Sequence, residues 1–149
     1  MAGLIVIAHA PLATALRAAA LHVYPDCAGR LAALDVDAGA APEDVEAQAR
    51  AALAAPGFEQ ALVMTDVFGA TPCNVAMRLA DGASVRVVAG VNVPMLWRAL
   101  CYSEEALDDL VSRALAGGAQ GVMPVSAARP QNQVGKPAFH DQVHHHHQQ

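Results

Sequence analysis

Four short apolar runs alternate along this chain with stretches whose apolar residues recur at helical spacing, and that alternation admits few folds. The runs are Gly3 to Ala8, Leu31 to Val36, Gln60 to Val67 and Ser84 to Ala89. A strand with one wet face alternates apolar and polar residues, whereas a near-continuous apolar run suits a strand covered on both faces. The stretches between and after them are Pro11 to Val23, Pro42 to Ala54, Thr71 to Ala80, and Pro94 to Leu100 continuing into Glu104 to Ala116. Strand, helix and strand in repeated succession predict right-handed βαβ crossovers and an α/β, doubly wound parallel sheet with helices on both faces. The expected strand order is 2-1-3-4, with the switch point between the first and third strands.

Helix starts are marked by Pro11, by Ala41-Pro42-Glu43-Asp44 and by Thr71-Pro72, where proline at the first helical position and early acids suit exposed amides. Gly117-Gly118 is expected to end the last helix. Gly121-Val122-Met123-Pro124-Val125 offers a short fifth strand, at an edge or exchanged with another copy, because Pro124 has no N–H to give a ladder. Residues 1–125 read as one domain. Periodicity then gives way to Arg129-Pro130-Gln131-Asn132-Gln133 and a His-containing end, so residues 126–149 are expected to be a disordered tail.

Apolar residues make up 54% of the 149 and charged ones only 15%, too apolar a balance for general disorder. The runs fall well short of the roughly 20 apolar residues that cross a bilayer, and no basic leader precedes a longer one, so a soluble, cytoplasmic protein without direct membrane insertion is expected. A net charge of −5 argues against sequence-independent nucleic-acid binding, which draws on clustered Lys and Arg. It suits a basic protein partner instead. Cys27, Cys73 and Cys101 are odd in number and widely spaced, which points to neither a disulfide framework nor a zinc ribbon. His144 to His147, with His140 nearby, lack the spacing of a preformed metal site, and no metal or cofactor is assigned.

The chemistry sits where strands end. His9 follows the first run, and in an open α/β sheet reacting groups gather outside the carboxyl ends of the strands. Thr65-Asp66-Val67-Phe68-Gly69-Ala70-Thr71-Pro72-Cys73-Asn74 leaves the third run, turns and enters a helix at the same edge. Gly90-Val91-Asn92-Val93-Pro94-Met95 leaves the fourth. With the first and third strands adjacent, His9 and Asp66 can meet, and a carboxylate on one ring N–H fixes the tautomer and leaves the other nitrogen bare as a nucleophile. Amides of Gly69, Ala70 and Thr71 at a helix start, with the Thr71 hydroxyl, are candidates for binding phosphoryl oxygens. Thr71 and Asn74 are equally suited to local capping, and Asp66 to bonding nearby amides. Asn92 is a supporting candidate; Asn92 to Met95 read as a turn into a helix opened by Pro94, and Val93 to Trp97 read alternatively as an apolar docking rim or subunit contact. His22 falls inside the first helix, away from this edge.

These segments resemble the IIA domain of the mannose-type (mannose/fructose/sorbose) branch of the bacterial phosphoenolpyruvate:sugar phosphotransferase system, from Met1 to about Val125. Thr65 to Asn74 is similar to the family's T-D-[LW]-[FG]-G-[GS]-[ST]-P-x-N, and Gly90 to Met95 to its G-V-N-[LI]-P-M. The resemblance implies that His9 accepts a phosphoryl group from the phosphocarrier HPr and passes it to a separate IIB protein. It also implies that Asp66 directs the phosphoryl group to Nε2, that the chain forms a homodimer, and that no cofactor is involved. The chain departs from the pattern at Ala10-Pro11, where glycine often follows the active histidine, and at Ala70 in place of a common second glycine. Three rival readings stand beside it. One is a regulatory protein whose His9 phosphorylation state controls partner binding; another is a phosphocarrier for a dihydroxyacetone kinase; the third is a flavodoxin-like binding domain without covalent chemistry.

Overall fold

The computed structural model describes residues 1–127. Its strands are β1 (Gly3–His9), β2 (Leu31–Val36), β3 (Ala61–Thr65) and β4 (Val85–Ala89). Its helices are α1 (Leu12–Val23), α2 (Pro42–Leu53), α3 (Thr71–Leu79), α4 (Val93–Cys101) and α5 (Leu107–Gln120). All strand pairs are parallel and the order is β2-β1-β3-β4, the doubly wound α/β arrangement expected from the alternation.

Side chains of a strand point alternately to its two faces, and β1 uses both. Leu4, Val6 and Ala8 join a core built from α1, α4 and α5, whereas Ile5 and Ile7 join one built with α2 and α3. All five are fully buried, which is why the run carries no polar residue until its end. The same alternation puts His9 on the α2 and α3 side, opposite Val36 of β2, at the point where the covering layer stops.

Several details differ from the sequence expectation. Pro11 precedes α1 and does not open it. A 3-10 helix, Pro25–Arg30, leads into β2. β3 stops at Thr65, short of Val67, because the chain bends at Asp66 to meet its polar partners. α4 and α5 are separate helices, and the break between them is tied to the chain start, with Ala2 N–H donating to Ser103 O at 2.9 Å. No strand forms at Gly121 to Val125: the sheet has four strands among the described residues, and Val122, Met123 and Val125 stand exposed. Without an N–H, Pro124 contributes no ladder donor there. From residue 128 onward the expected tail, with His140 and His144 to His147, lies outside the described residues.

Gly117 and Gly118 do not end α5 but lie within it. They let α4 approach closely: a Cβ at Gly117 would stand 2.6 Å from Arg98 Cβ, and one at Gly118 2.9 Å from Met95 Cε. Gly117→Ala is therefore expected to lower the denaturation midpoint. Overpacking costs about 1–3 kcal/mol, against about 0.8–1 kcal/mol returned by better helix propensity. Urea titration of the two proteins measures the difference.

Candidate functional site

The parallel sheet brings the carboxyl ends of all four strands to one edge, and His9 and Asp66 meet there. Asp66 Oδ2 accepts both the His9 backbone N–H, at 3.0 Å, and a hydrogen bond from Nδ1 of its ring, at 2.7 Å. Asp66 Oδ1 accepts the N–H of Val67 at 2.9 Å. The carboxylate is thus held by three donors, in a side chain only 12% exposed, while the ring it steers is 50% exposed. Burial works to raise the carboxyl pKa. Donation from the His9 backbone, the His9 ring and the Val67 backbone, with the attraction of the ring's charge, outweighs it and holds Asp66 below the usual carboxylate range.

An ionised carboxylate has no proton to give, so the 2.7 Å contact requires the hydrogen to be on Nδ1. In the neutral form of the ring Nε2 then carries a free electron pair, and the ring is half exposed. The same depressed titration links the site to stability. Asp66 adds stability above the ordinary carboxylate range and loses it as pH falls through its lowered folded value. Between about pH 7 and about pH 3, Asp66→Asn is expected to lose less stability than wild type, as measured by denaturant titration at each pH.

The remaining residues of the two loops divide by role. Gly69 sits at φ +92°, a left-handed turn that lets the chain reverse from β3 into α3. Ala70 is the N-cap of α3 and Thr71 its first residue, and no side chain caps that end. Asn74 Nδ2 reaches back to Gly69 O at 3.5 Å, a long contact that braces the turn. Asn92 is engaged elsewhere: its Oδ1 accepts Met95 N–H at 2.9 Å, and its Nδ2 donates to Gly118 O at 3.1 Å. It caps α4 and ties it to α5. Met95 and Leu96, candidates for an apolar rim, are buried in the core, and Trp97 alone of the three is exposed. His22 lies in the last turn of α1, as expected.

Helix N-termini attract anions, and four of them follow strands at this edge. At α1, Asp35 of β2 accepts the Thr14 N–H at 3.0 Å and the Thr14 hydroxyl. At α4, Asn92 is the cap. At α2, Glu43 and Asp44 occupy the first turn. α3 has neither a side-chain cap nor a first-turn acid, and its start follows directly from the Asp66 loop. Asp35 escapes the sequence motifs. Its one signal is an acid in an otherwise apolar strand, a setting in which aspartate is disfavoured.

Residues 3–115 match the protein family described as the PTS system fructose IIA component. The chain belongs to this family. It is a IIA component of the mannose type in the sugar phosphotransferase system, a family whose activity is phosphoryl transfer. Among solved structures, this IIA chain is similar to the mannose/sorbose-specific IIA subunit from Enterococcus faecalis. The identity is 27% and the TM-score 0.77, over 87% of this chain and 98% of the other. It is also similar to the system's EIIA component from Streptococcus agalactiae, at 25% identity and TM-score 0.73, over 83% and 97% of the two chains. The IIA protein associated with a fucose utilization operon in Streptococcus pneumoniae, at 22% identity and TM-score 0.67 over 83% and 96%, shares the fold. No curated protein matches the sequence. Among the described residues, no helix is long and apolar enough to cross a membrane.

Proposed function

We propose that this IIA chain is a cytoplasmic phosphohistidine carrier: His9 Nε2 takes a phosphoryl group from phospho-HPr and delivers it to a separate IIB protein. The observation that carries the proposal is the His9–Asp66 pair, whose geometry leaves Nε2 as the bare nitrogen. In the forward step the Nε2 electron pair forms a bond to phosphorus as the donor's nitrogen–phosphorus bond breaks, the donor nitrogen keeping its pair. The ring becomes cationic, and Asp66 is already in place to stabilise it. Phosphoryl oxygens meet the amides of the Gly69, Ala70 and Thr71 turn and the Thr71 hydroxyl, at a helix start that among the described residues has no side-chain cap and no early acid. Neither the Thr65–Asn74 nor the Gly90–Met95 segment contains Lys or Arg, so the partner supplies the cation. Onward transfer reverses these roles with IIB.

The family also supports a homodimer. Val122, Met123 and Val125, exposed beyond α5, are suited to exchange with a second copy. Sedimentation of the full chain tests this.

Incubation with phosphoenolpyruvate, enzyme I and HPr is expected to add one phosphoryl group, mapped to His9 under conditions that preserve acid-labile phosphohistidine. An unmodified protein would overturn the proposal. Adding a cognate IIB is expected to discharge the phosphorylated form. Retention in the presence of IIB favours the regulatory reading, and discharge only to a dihydroxyacetone kinase assembly favours that route.

A further inference from the structure

We propose that Asp35 is a positioning residue for His9, acting through α1. This rests on the reading of His9 as the phosphoryl acceptor. β1 ends between two acids from its flanking strands. Asp66, after β3, takes the His9 amide and ring, and Asp35, in β2, takes the amide and hydroxyl of Thr14 in the first turn of α1. α1 needs this help: Pro11 at its cap position makes no side-chain hydrogen bond, and its first turn holds no acid. An aspartate from the neighbouring strand does what a local cap ordinarily does.

The coupling to His9 is short. Only Ala10 and Pro11 separate His9 from α1, and two residues span at most about 7 Å, too little to absorb a shift of the helix start. Ala10 N–H donates to Val36 O at 3.0 Å, so the link is fastened to the residue after Asp35 as well. Ala8 is the register partner of Asp35 and His9 that of Val36. Asp35 therefore shares the Ala8 face, where α1 packs, while His9 emerges on the other face. Its carboxylate acts on the frame that carries the ring and not on the ring itself. When that frame loosens, the ring leaves the Asp66 oxygen for part of the time, and the protonated nitrogen is no longer fixed.

The test compares wild type, Asp35→Ala, Asp35→Asn, Thr14→Val and Arg50→Ala. Arg50 bridges Glu46 and the Arg78 carbonyl between α2 and α3, so its loss reports general softening. Imidazole nitrogen chemical shifts of unphosphorylated His9 measure the share of the Nδ1–H tautomer. The rate of charging by phospho-HPr, at varied donor concentration, separates kcat from KM. Asp35→Ala is expected to reduce the Nδ1–H share and to lower kcat about tenfold with donor KM within about twofold, a loss typical of slight misplacement. Asn can accept the Thr14 N–H and donate to its hydroxyl oxygen, so Asp35→Asn is expected to restore most of both. Thr14→Val, which removes only the hydroxyl donor, should shift them partway, and Arg50→Ala should leave both unchanged. A folded Asp35→Ala with the wild-type tautomer share overturns the inference, as does an equal shift in Arg50→Ala. If Asp35→Ala does not fold, an unshifted Thr14→Val overturns it. Should wild type accept no phosphoryl group, the functional proposal fails, yet the tautomer comparison still decides the role of Asp35.

Discussion

His9→Ala is expected to reduce phosphoryl acceptance from phospho-HPr below detection while leaving the fold intact. Both halves follow from the way His9 is held. Its ring is half exposed and contributes little buried surface, whereas its backbone N–H, which alanine retains, supplies one of the three donors on Asp66. The variant therefore keeps two of those donors and the start of α1. What it loses is the nitrogen nucleophile, and its hydrogen-bond partner Asp66 does not replace it, being committed to backbone amides. His22 lies in the last turn of α1, at the far end from the site. Radiolabel transfer from phosphoenolpyruvate, with circular dichroism as the folding check, measures the outcome. Wild-type labelling of a folded His9→Ala protein would place the acceptor elsewhere, and peptide mapping would then show whether it lies among His140 and His144 to His147.

The sheet was legible because burial on both faces leaves a strong mark. β1 cannot afford a polar residue between Leu4 and Ala8 when both neighbouring layers are apolar, so its run is uninterrupted. Strand order then placed His9 and Asp66 at one edge, and the motif segments pointed to the same residues. The features that local pattern does not encode were less accessible. Gly117-Gly118 looks like a helix stop, yet α5 continues because α4 needs the space a side chain would fill. Asn92 stands in a loop beside the site, yet both ends of its amide are engaged in joining α4 to α5. Met95 and Leu96 follow it in an apolar stretch that reads equally as rim or core; packing against α5 puts them in the core. Asp35 became interpretable only through Thr14, a residue 21 positions away that strand order and crossover bring alongside. Each of these depends on a contact between elements, which periodicity within one element does not specify.

Asp66→Asn is expected to lower the rate of His9 phosphorylation by about 10²- to 10⁴-fold, with a much smaller effect on donor affinity. The substitution preserves shape but not hydrogen-bond polarity. In wild type, one carboxylate oxygen accepts two hydrogen bonds from His9 and the other accepts one from Val67, so both ends of the side chain must accept. Asparagine has one accepting end. If its oxygen faces His9, its NH₂ opposes the Val67 N–H. If it turns to satisfy Val67, its NH₂ confronts the His9 N–H and can donate to the ring only when Nδ1 is unprotonated. The second arrangement moves the ring proton to Nε2, which removes the attacking electron pair. In either arrangement the negative charge that stabilises the cationic phosphoimidazole is gone. Imidazole nitrogen shifts distinguish the two orientations, and single-turnover charging by phospho-HPr measures the rate. A variant with the wild-type tautomer and a rate within about threefold of wild type would show that Asp66 only braces the loop, leaving the orientation and activation of His9 to other groups.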